Sequence, residues 1–231
     1  LEDIAMAADL FLPVYEETDG LDGYVSIEVN PLLAHAAAGT VQEAKRLFET
    51  LHRPNVMIKV PATLSGISAV SELIGSGVNV NATLLFSTEY YKAVASAYLK
   101  GLEKLSEKGP NVKGGHGVDR VASVASFFIS RVDTAVDREL DQIGNRDLRG
   151  KIAIANAKAA YVEFTDIFRN ARYKALAEKG ARVQRLLWGS TGTKNPVYPD
   201  TLYVDQLIGP DTVNTIPPAT LNRFLDHGTV A

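Results

Sequence analysis

Short apolar runs alternate along the chain with longer stretches in which apolar residues recur every three or four positions, the rhythm of a parallel sheet with helical crossovers. Six runs predict strands: Tyr24 to Val29, Asn55 to Ala62, Val78 to Leu84, Arg120 to Ile129, Arg182 to Gly189 and Val213 to Ile216. The spacing between them predicts helices near Val41 to Leu51, Gly66 to Ile74, Thr88 to Glu107, Arg131 to Ile143 and Lys151 to Glu178, with a short one around Thr201 to Leu207. LEDIAMAADLFLPVYEE places Ile4, Ala8, Phe11 and Tyr15 on one helical stripe, and LNRFLDHGTVA reads as a helix entering a turn at Gly228. With Leu1 where an initiator methionine would stand, both ends are expected to be cut from a longer chain. Thr40 is expected to cap a helix start, Ser87 to precede another, and Gly180 to end the longest helix.

The polar residues then choose between architectures. An open doubly wound sheet keeps strand interiors apolar, whereas several strands here carry a polar or charged residue late in the run, as the mouth of a barrel lumen requires. The expected fold is therefore an α/β chain forming about six units of a (β/α)8 barrel. No internal repeat or linker interrupts the 231 residues, so one domain is expected. The glycine-rich loop PNVKGGHG lacks a phosphate-loop spacing and is assigned a structural role.

Composition narrows the function classes. The net charge of -3 offers no basic surface for nucleic acid or an anionic membrane, and no window is apolar for the roughly 18 residues of a membrane span. The absence of cysteine excludes disulfides and thiolate metal sites and suits a reducing cytoplasm. His35, His52, His116 and His227 lack metal-ligand spacing, so no metal is expected.

The chemistry centres on Lys59 in NVMIKVPAT, a charge inside an otherwise apolar parallel strand. A desolvated ammonium tends to lose its proton, and a neutral amine is the nucleophile that attacks a ketone. Glu28 in GYVSIEVNP ends another apolar strand, where a buried carboxylate activates water or pairs with Lys59. In GVNVNATLLFS, Asn79, Asn81 and Thr83 alternate onto one strand face and suit a polyhydroxylated substrate; for Asn79 an internal backbone-bonding role is equally open. Ser126 to Arg131 in ASFFISRVD and Ser190 to Lys194 in WGSTGTKN stand where strands hand over to loop or helix, and suit an anion.

Taken in order, GYVSIEVNP, NVMIKVPAT, GVNVNATLLFS, SFFISR, WGSTGTKNPVYPDTLYV and GPDTVNTIPPATL resemble the transaldolase family in its longer bacterial form, over essentially the whole chain. The resemblance implies that Lys59 forms a Schiff base with a ketose phosphate, without cofactor or metal. It implies that Glu28 and Thr83 hold the proton-relaying water, that Asn81 and Ser126 contact the intermediate, and that Arg131 and Ser190 bind phosphate. Lys194 departs from the family pattern, where an arginine lies nearer the serine, and an ammonium lacks the bidentate fork of that residue. The implied reaction moves a dihydroxyacetone unit from sedoheptulose 7-phosphate to glyceraldehyde 3-phosphate, giving erythrose 4-phosphate and fructose 6-phosphate, in the pentose phosphate pathway of the cytoplasm. Assembly with further copies is left open. Matched to the family, the strands seen are the third to the eighth, so strands one and two, with the first-strand acid/base aspartate, are expected to lie outside this chain. The 231 residues alone are then expected to be poorly active and open-edged. The alternatives are a related Schiff-base aldolase of the fructose 6-phosphate type and a catalytically incomplete barrel fragment.

Overall fold

The computed structural model describes residues 1–109 and 114–230, so the first four residues of the PNVKGGHG loop lie outside the described residues. Among the described residues the strands are β1 (Val25–Glu28), β2 (Val56–Pro61), β3 (Val80–Leu85), β4 (Ser123–Phe128), β5 (Arg185–Gly189) and β6 (Thr212–Asn214). They follow one another in chain order in one sheet, and β1 with β2, β2 with β3 and β5 with β6 pair in parallel. The α/β class predicted by the alternation is the one observed, with each strand inside its predicted span or one residue beyond it. The helices are α1 (Glu2–Glu17), α2 (Ala37–Leu51), α3 (Leu64–Ile74), α4 (Thr88–Glu107), α5 (Ser130–Gln142), α6 (Ile152–Ile167), α7 (Ala171–Ala177), α8 (Leu202–Leu207) and α9 (Pro218–His227).

The chain gathers into two compact units. The first comprises Leu1–Thr83, Ala93–Ala125 and Phe168–Gln184. Its centre is β2, where Val56, Ile58 and Val60 are fully buried beside Val80 and Ala82 of β3. Burying such side chains contributes roughly 1.5–3 kcal/mol each. The stripe Val94, Tyr98, Leu102 and Leu105 of α4 is also fully buried, as its helical spacing predicts. Close approach of α3 and α4 requires Gly101, where an added Cβ would stand 2.6 Å from the Ile74 Cβ. Asn55 ties the approach to β2 to earlier segments, its amide donating to the carbonyls of Ala8 and Gly23. The backbone oxygen of Asp19 accepts from both Arg120 and Arg182, and its carboxylate pairs with both.

The second unit comprises Leu84–Lys92, Ser126–Ile167 and Arg185–Ala231. Here α5 packs on α6 and α6 on α8. Trp188 of β5 lies edge-on to Phe127 with ring centroids 6.3 Å apart, and its indole N–H donates to the Leu207 carbonyl at 2.8 Å.

Two local expectations are corrected. The helix expected over Lys151 to Glu178 is broken into α6 and α7, because Asn170 leaves helical geometry to cap α7, its side-chain oxygen accepting the Tyr173 N–H at 2.9 Å. Thr40 is not a cap: α2 begins at Ala37, and the Thr40 hydroxyl donates to the Leu33 carbonyl from inside the helix. Ser87 does precede α4, its hydroxyl accepting the Tyr90 N–H. Gly180 sits just past α7 at φ +91, where its N–H closes the helix end on the Ala177 carbonyl.

The C-terminal helix is held by charge. His227 lies 2.9 Å from the Asp200 carboxylate and 3.0 Å from that of Asp226, and Arg223 also pairs with Asp200. Asp200 and then Asp226 raise the His227 pKa above 6.5, while His227 and Arg223 hold Asp200 down at about 2. A raised histidine contributes fully below its unfolded pKa, and that contribution is lost as pH climbs through the folded one. A depressed aspartate contributes above 3.8 and loses its effect as pH falls toward about 2. Attachment of α9 is therefore strongest in the mildly acidic window between the two unfolded values. An NMR titration of the His227 ring should show a midpoint above 6.5; a midpoint at or below it would contradict the pairing.

Candidate functional site

Within the first unit, strand register places three of the expected site residues in one row. Glu28 of β1 is the cross-strand partner of Lys59, and Lys59 is the partner of Asn81 on β3. Thr83, two residues after Asn81, shares its strand face and pairs in register with Pro61. Four polar side chains from three adjacent strands are thus brought into neighbouring register, with Glu28 the last residue of β1, Lys59 and Thr83 in the second half of β2 and β3, and Asn81 near the start of β3.

Their environments differ from one another. Lys59 is half-buried, and Glu28 is exposed, where the sequence suggests a buried carboxylate. The reason is topological: β1 is first in the strand order, so among the described residues β2 alone flanks it. The open alternative of a structural ion pair is not what the chain forms, since among the described residues no hydrogen bond or ion pair engages either side chain. Asn81 is buried and donates to the Ser26 hydroxyl at 3.1 Å, a bond that reaches from β3 to β1 over the intervening β2. Both side chains therefore lean inward over the strand that carries Lys59. Thr83 is fully buried and its hydroxyl has no hydrogen-bond partner among the described residues, a state that costs about 1–3 kcal/mol and marks a group able to bond to something else. Directly after it, Leu84 adopts a left-handed conformation at φ +63, uncommon for a non-glycine residue.

Asn79 belongs to the fold instead. Its amide donates to the carbonyls of Pro54 and Val56 and its side-chain oxygen accepts the Ala122 N–H, so all its bonds stitch neighbouring strands together. This decides the alternative that the sequence leaves open for it.

The second unit holds the other expected residues. Ser126 is buried on β4. Arg131 lies exposed in the first turn of α5, its guanidinium carbon 5.0 Å from the centre of the Phe128 ring. Ser190 follows β5 at φ +57, a strained backbone of the kind retained at functional sites. Its carbonyl accepts the Ser130 N–H at 3.1 Å and the two hydroxyls are 2.9 Å apart. The end of β5 is thereby fastened to the start of α5. Lys194 stands apart from this pair: it is exposed, on the rim of a cleft shared with Asp133, Asp137 and Asp141. Neighbouring carboxylates disfavour a second anion there.

Ser130, inside the Ser126 to Arg131 run expected to suit an anion, is the residue of that run that meets Ser190. Asp133 and Asp137 are buried on α5, accepting hydrogen bonds from the hydroxyls of Tyr203 and Tyr198. Their one-turn spacing is a legible signal; their partners lie more than sixty residues onward and are not. Burial pushes the Asp133 carboxyl up, against the donors that favour its charge. Among the described residues no group of three or more His, Cys, Asp or Glu side chains could hold a metal ion, and no helix is long and apolar enough to cross a membrane.

The model of the family described as transaldolase/fructose-6-phosphate aldolase matches residues 1–231. The chain is 51% identical over 231 residues to a transaldolase of Thermobifida fusca (strain YX), covering 99% of this chain and 61% of that protein. A transaldolase of Trichodesmium erythraeum (strain IMS101) is 49% identical over 237 residues, and one of Mycobacterium tuberculosis (strain ATCC 25618 / H37Rv) is 47% identical over 233. These cover 98% and 99% of this chain, and in all three comparisons the chain spans 61% of the relative's length.

Proposed function

The chain belongs to the transaldolase/fructose-6-phosphate aldolase family, and we propose that its protein transfers a dihydroxyacetone unit between sugar phosphates through an imine on Lys59. The neutral amine adds to the C2 carbonyl of fructose 6-phosphate or sedoheptulose 7-phosphate. The carbinolamine takes up a proton, relayed through the active-site water, and loses water to give the protonated imine. The C3–C4 bond then breaks as the 4-hydroxyl loses its proton; the electron pair moves to the imine nitrogen, and glyceraldehyde 3-phosphate departs from fructose 6-phosphate or erythrose 4-phosphate from sedoheptulose 7-phosphate. The resulting enamine attacks the aldehyde carbon of an acceptor, whose oxygen takes a proton, and water releases the new ketose phosphate.

Glu28 and Thr83 are assigned to a water that relays protons while the imine forms and breaks. Asn81 and Ser126 are assigned to the hydroxyls of the bound intermediate, and Arg131 and Ser190 to the phosphate. Lys194 receives at most an accessory role because of the carboxylates around it. The reaction as written needs no cofactor, and a cytoplasmic place in pentose phosphate metabolism follows from these substrates.

The observation that supports this reading most is the row Glu28, Lys59 and Asn81, in register on adjacent strands, with the Lys59 amine unpaired among the described residues and the unbonded Thr83 hydroxyl on the same strand face. Borohydride reduction of the full-length protein with fructose 6-phosphate tests it. A reduced dihydroxyacetone or fructose phosphate adduct mapped to Lys59 by peptide mass spectrometry is expected, and no adduct there would refute the mechanism. Release of glyceraldehyde 3-phosphate that requires no acceptor would favour simple aldol cleavage over transfer.

A further inference from the structure

The segment that leaves β5, its loop and the start of α8, is fastened to α5 near its beginning and again further on. At its start, Ser190 meets Ser130 through a main-chain bond and paired hydroxyls. Eight and thirteen residues later, Tyr198 and Tyr203 bring their hydroxyls to Asp137 and Asp133 at 2.5 and 2.7 Å. The two carboxylates stand one helical turn apart on the face of α5 that is buried, at 8% and 1% exposure. Each also accepts a main-chain N–H from the segment that follows α5, Gly150 at 3.1 Å for Asp137 and Ala153 at 2.7 Å for Asp133. A tyrosine, an aspartate and a backbone amide meet twice, joining three stretches of chain distant in sequence. The contact with Gly150 is close: at φ +69, an added Cβ there would lie 2.9 Å from the Tyr198 ring.

Hydrophobic side chains of similar size would hold the same segments together without the desolvation cost of two buried carboxylates. What hydrogen-bonded pairs add is a fixed register, because each O–H and N–H meets its oxygen at only one setting. The helix whose register they fix begins with Ser130 and Arg131, and the loop they anchor begins with Ser190.

We propose that Tyr198–Asp137 and Tyr203–Asp133 are positioning pairs, which hold Ser190 and Arg131 at the spacing needed to grip a phosphate oxyanion. The proposal deepens the functional reading above and rests on its assignment of the phosphate to those two residues. Neither tyrosine touches the substrate. Their effect is on affinity for the charged end of the sugar, and the imine chemistry at Lys59 is left as it was.

The experiment uses the full-length protein and two readouts: the Kd for inorganic phosphate by calorimetry, and KM against kcat for fructose 6-phosphate. Y198F and Y203F each delete one hydroxyl and keep the ring. The control is Y98F, which deletes a buried hydroxyl bonded to the Arg182 carbonyl within the other unit. Loss of a positioning hydrogen bond predicts a rise in phosphate Kd and in KM of about two- to tenfold for Y198F and Y203F, with kcat held within about twofold. Y98F is expected to lower Tm comparably and to leave both constants unchanged. If Y198F and Y203F lower Tm while Kd and KM stay at wild-type values, or if only kcat falls, the pairs are structural and the proposal is overturned. R131A separates it from the reading beneath. If wild type binds no phosphate and R131A leaves KM unchanged, the phosphate assignment fails and the proposal with it; if R131A raises KM and the tyrosine variants do not, only the proposal fails.

Discussion

Replacing Lys59 with arginine is expected to abolish borohydride trapping in the full-length protein and to lower kcat/KM by about three orders of magnitude or more, the scale seen when a covalent nucleophile is removed. Arginine is the informative choice because it keeps the positive charge and most of the length while remaining protonated at every working pH. A role limited to electrostatic attraction of phosphate would survive the change. An imine would not, since a guanidinium has no free lone pair to add to a ketone. Stability should move little: Lys59 is half-buried and has no ion-pair partner among the described residues, so K59M should change ΔG of unfolding by less than about 1 kcal/mol. Chemical denaturation of K59M and steady-state rates of K59R together separate catalytic loss from unfolding. Transfer activity retained by K59R would end the imine mechanism.

Gly66→Ala should unfold or severely destabilise the first unit, by roughly 3–5 kcal/mol. Gly66 sits in the first turn of α3, its N–H accepted by the Thr63 side chain at 3.0 Å. A Cβ placed on it would overlap the carbonyl oxygen of Pro61, the last residue of β2. The helix cannot retreat without breaking the Thr63 cap, and the strand cannot move without displacing Lys59 two residues earlier. Gly144→Ala is the contrast. That residue has φ +74 and open space for 4 Å around the place an added methyl group would take, so only the backbone penalty of about 1 kcal/mol applies. Urea midpoints of the two variants should differ widely; similar values would mean that the close approach at Gly66 relaxes cheaply.

Strands were the most legible part of the chain. Runs such as VMIKVP and SVASFF are buried on both faces, so they appear as mostly apolar segments with one or two polar positions, whatever surrounds them. Helix ends were less legible where a single polar residue decided them: Asn170 breaks one predicted helix in two because its side chain finds a backbone N–H three residues on. At the candidate site, Lys59 stands out because a charge in an apolar run is locally conspicuous. The exposure of Glu28 was not drawn from its apolar run, although the open edge expected where strands one and two are missing already placed its strand first in the order. Asn79 and Asn81 look alike in sequence, two positions apart in one run, although β3 begins only at Val80. Only the Pro54, Val56 and Ala122 backbone groups around the first distinguish structural stitching from a site residue. The tyrosine–aspartate pairs were hidden for the same reason, their halves being separated by 61 and 70 positions.

The division of the first unit among three separate stretches of chain bears on how the protein comes to be made. Leu1–Thr83 contains β2 and its apolar neighbours, yet the unit is completed only by Ala93–Ala125 and Phe168–Gln184. Asp19 likewise waits for Arg120 and then Arg182. At a synthesis rate of about 5–20 residues per second, the interval between the emergence of Thr83 and that of Gln184 is roughly 5–20 s. Throughout it the nascent chain carries a half-covered apolar strand beside a ribosome, a window in which a holding chaperone competes with self-association.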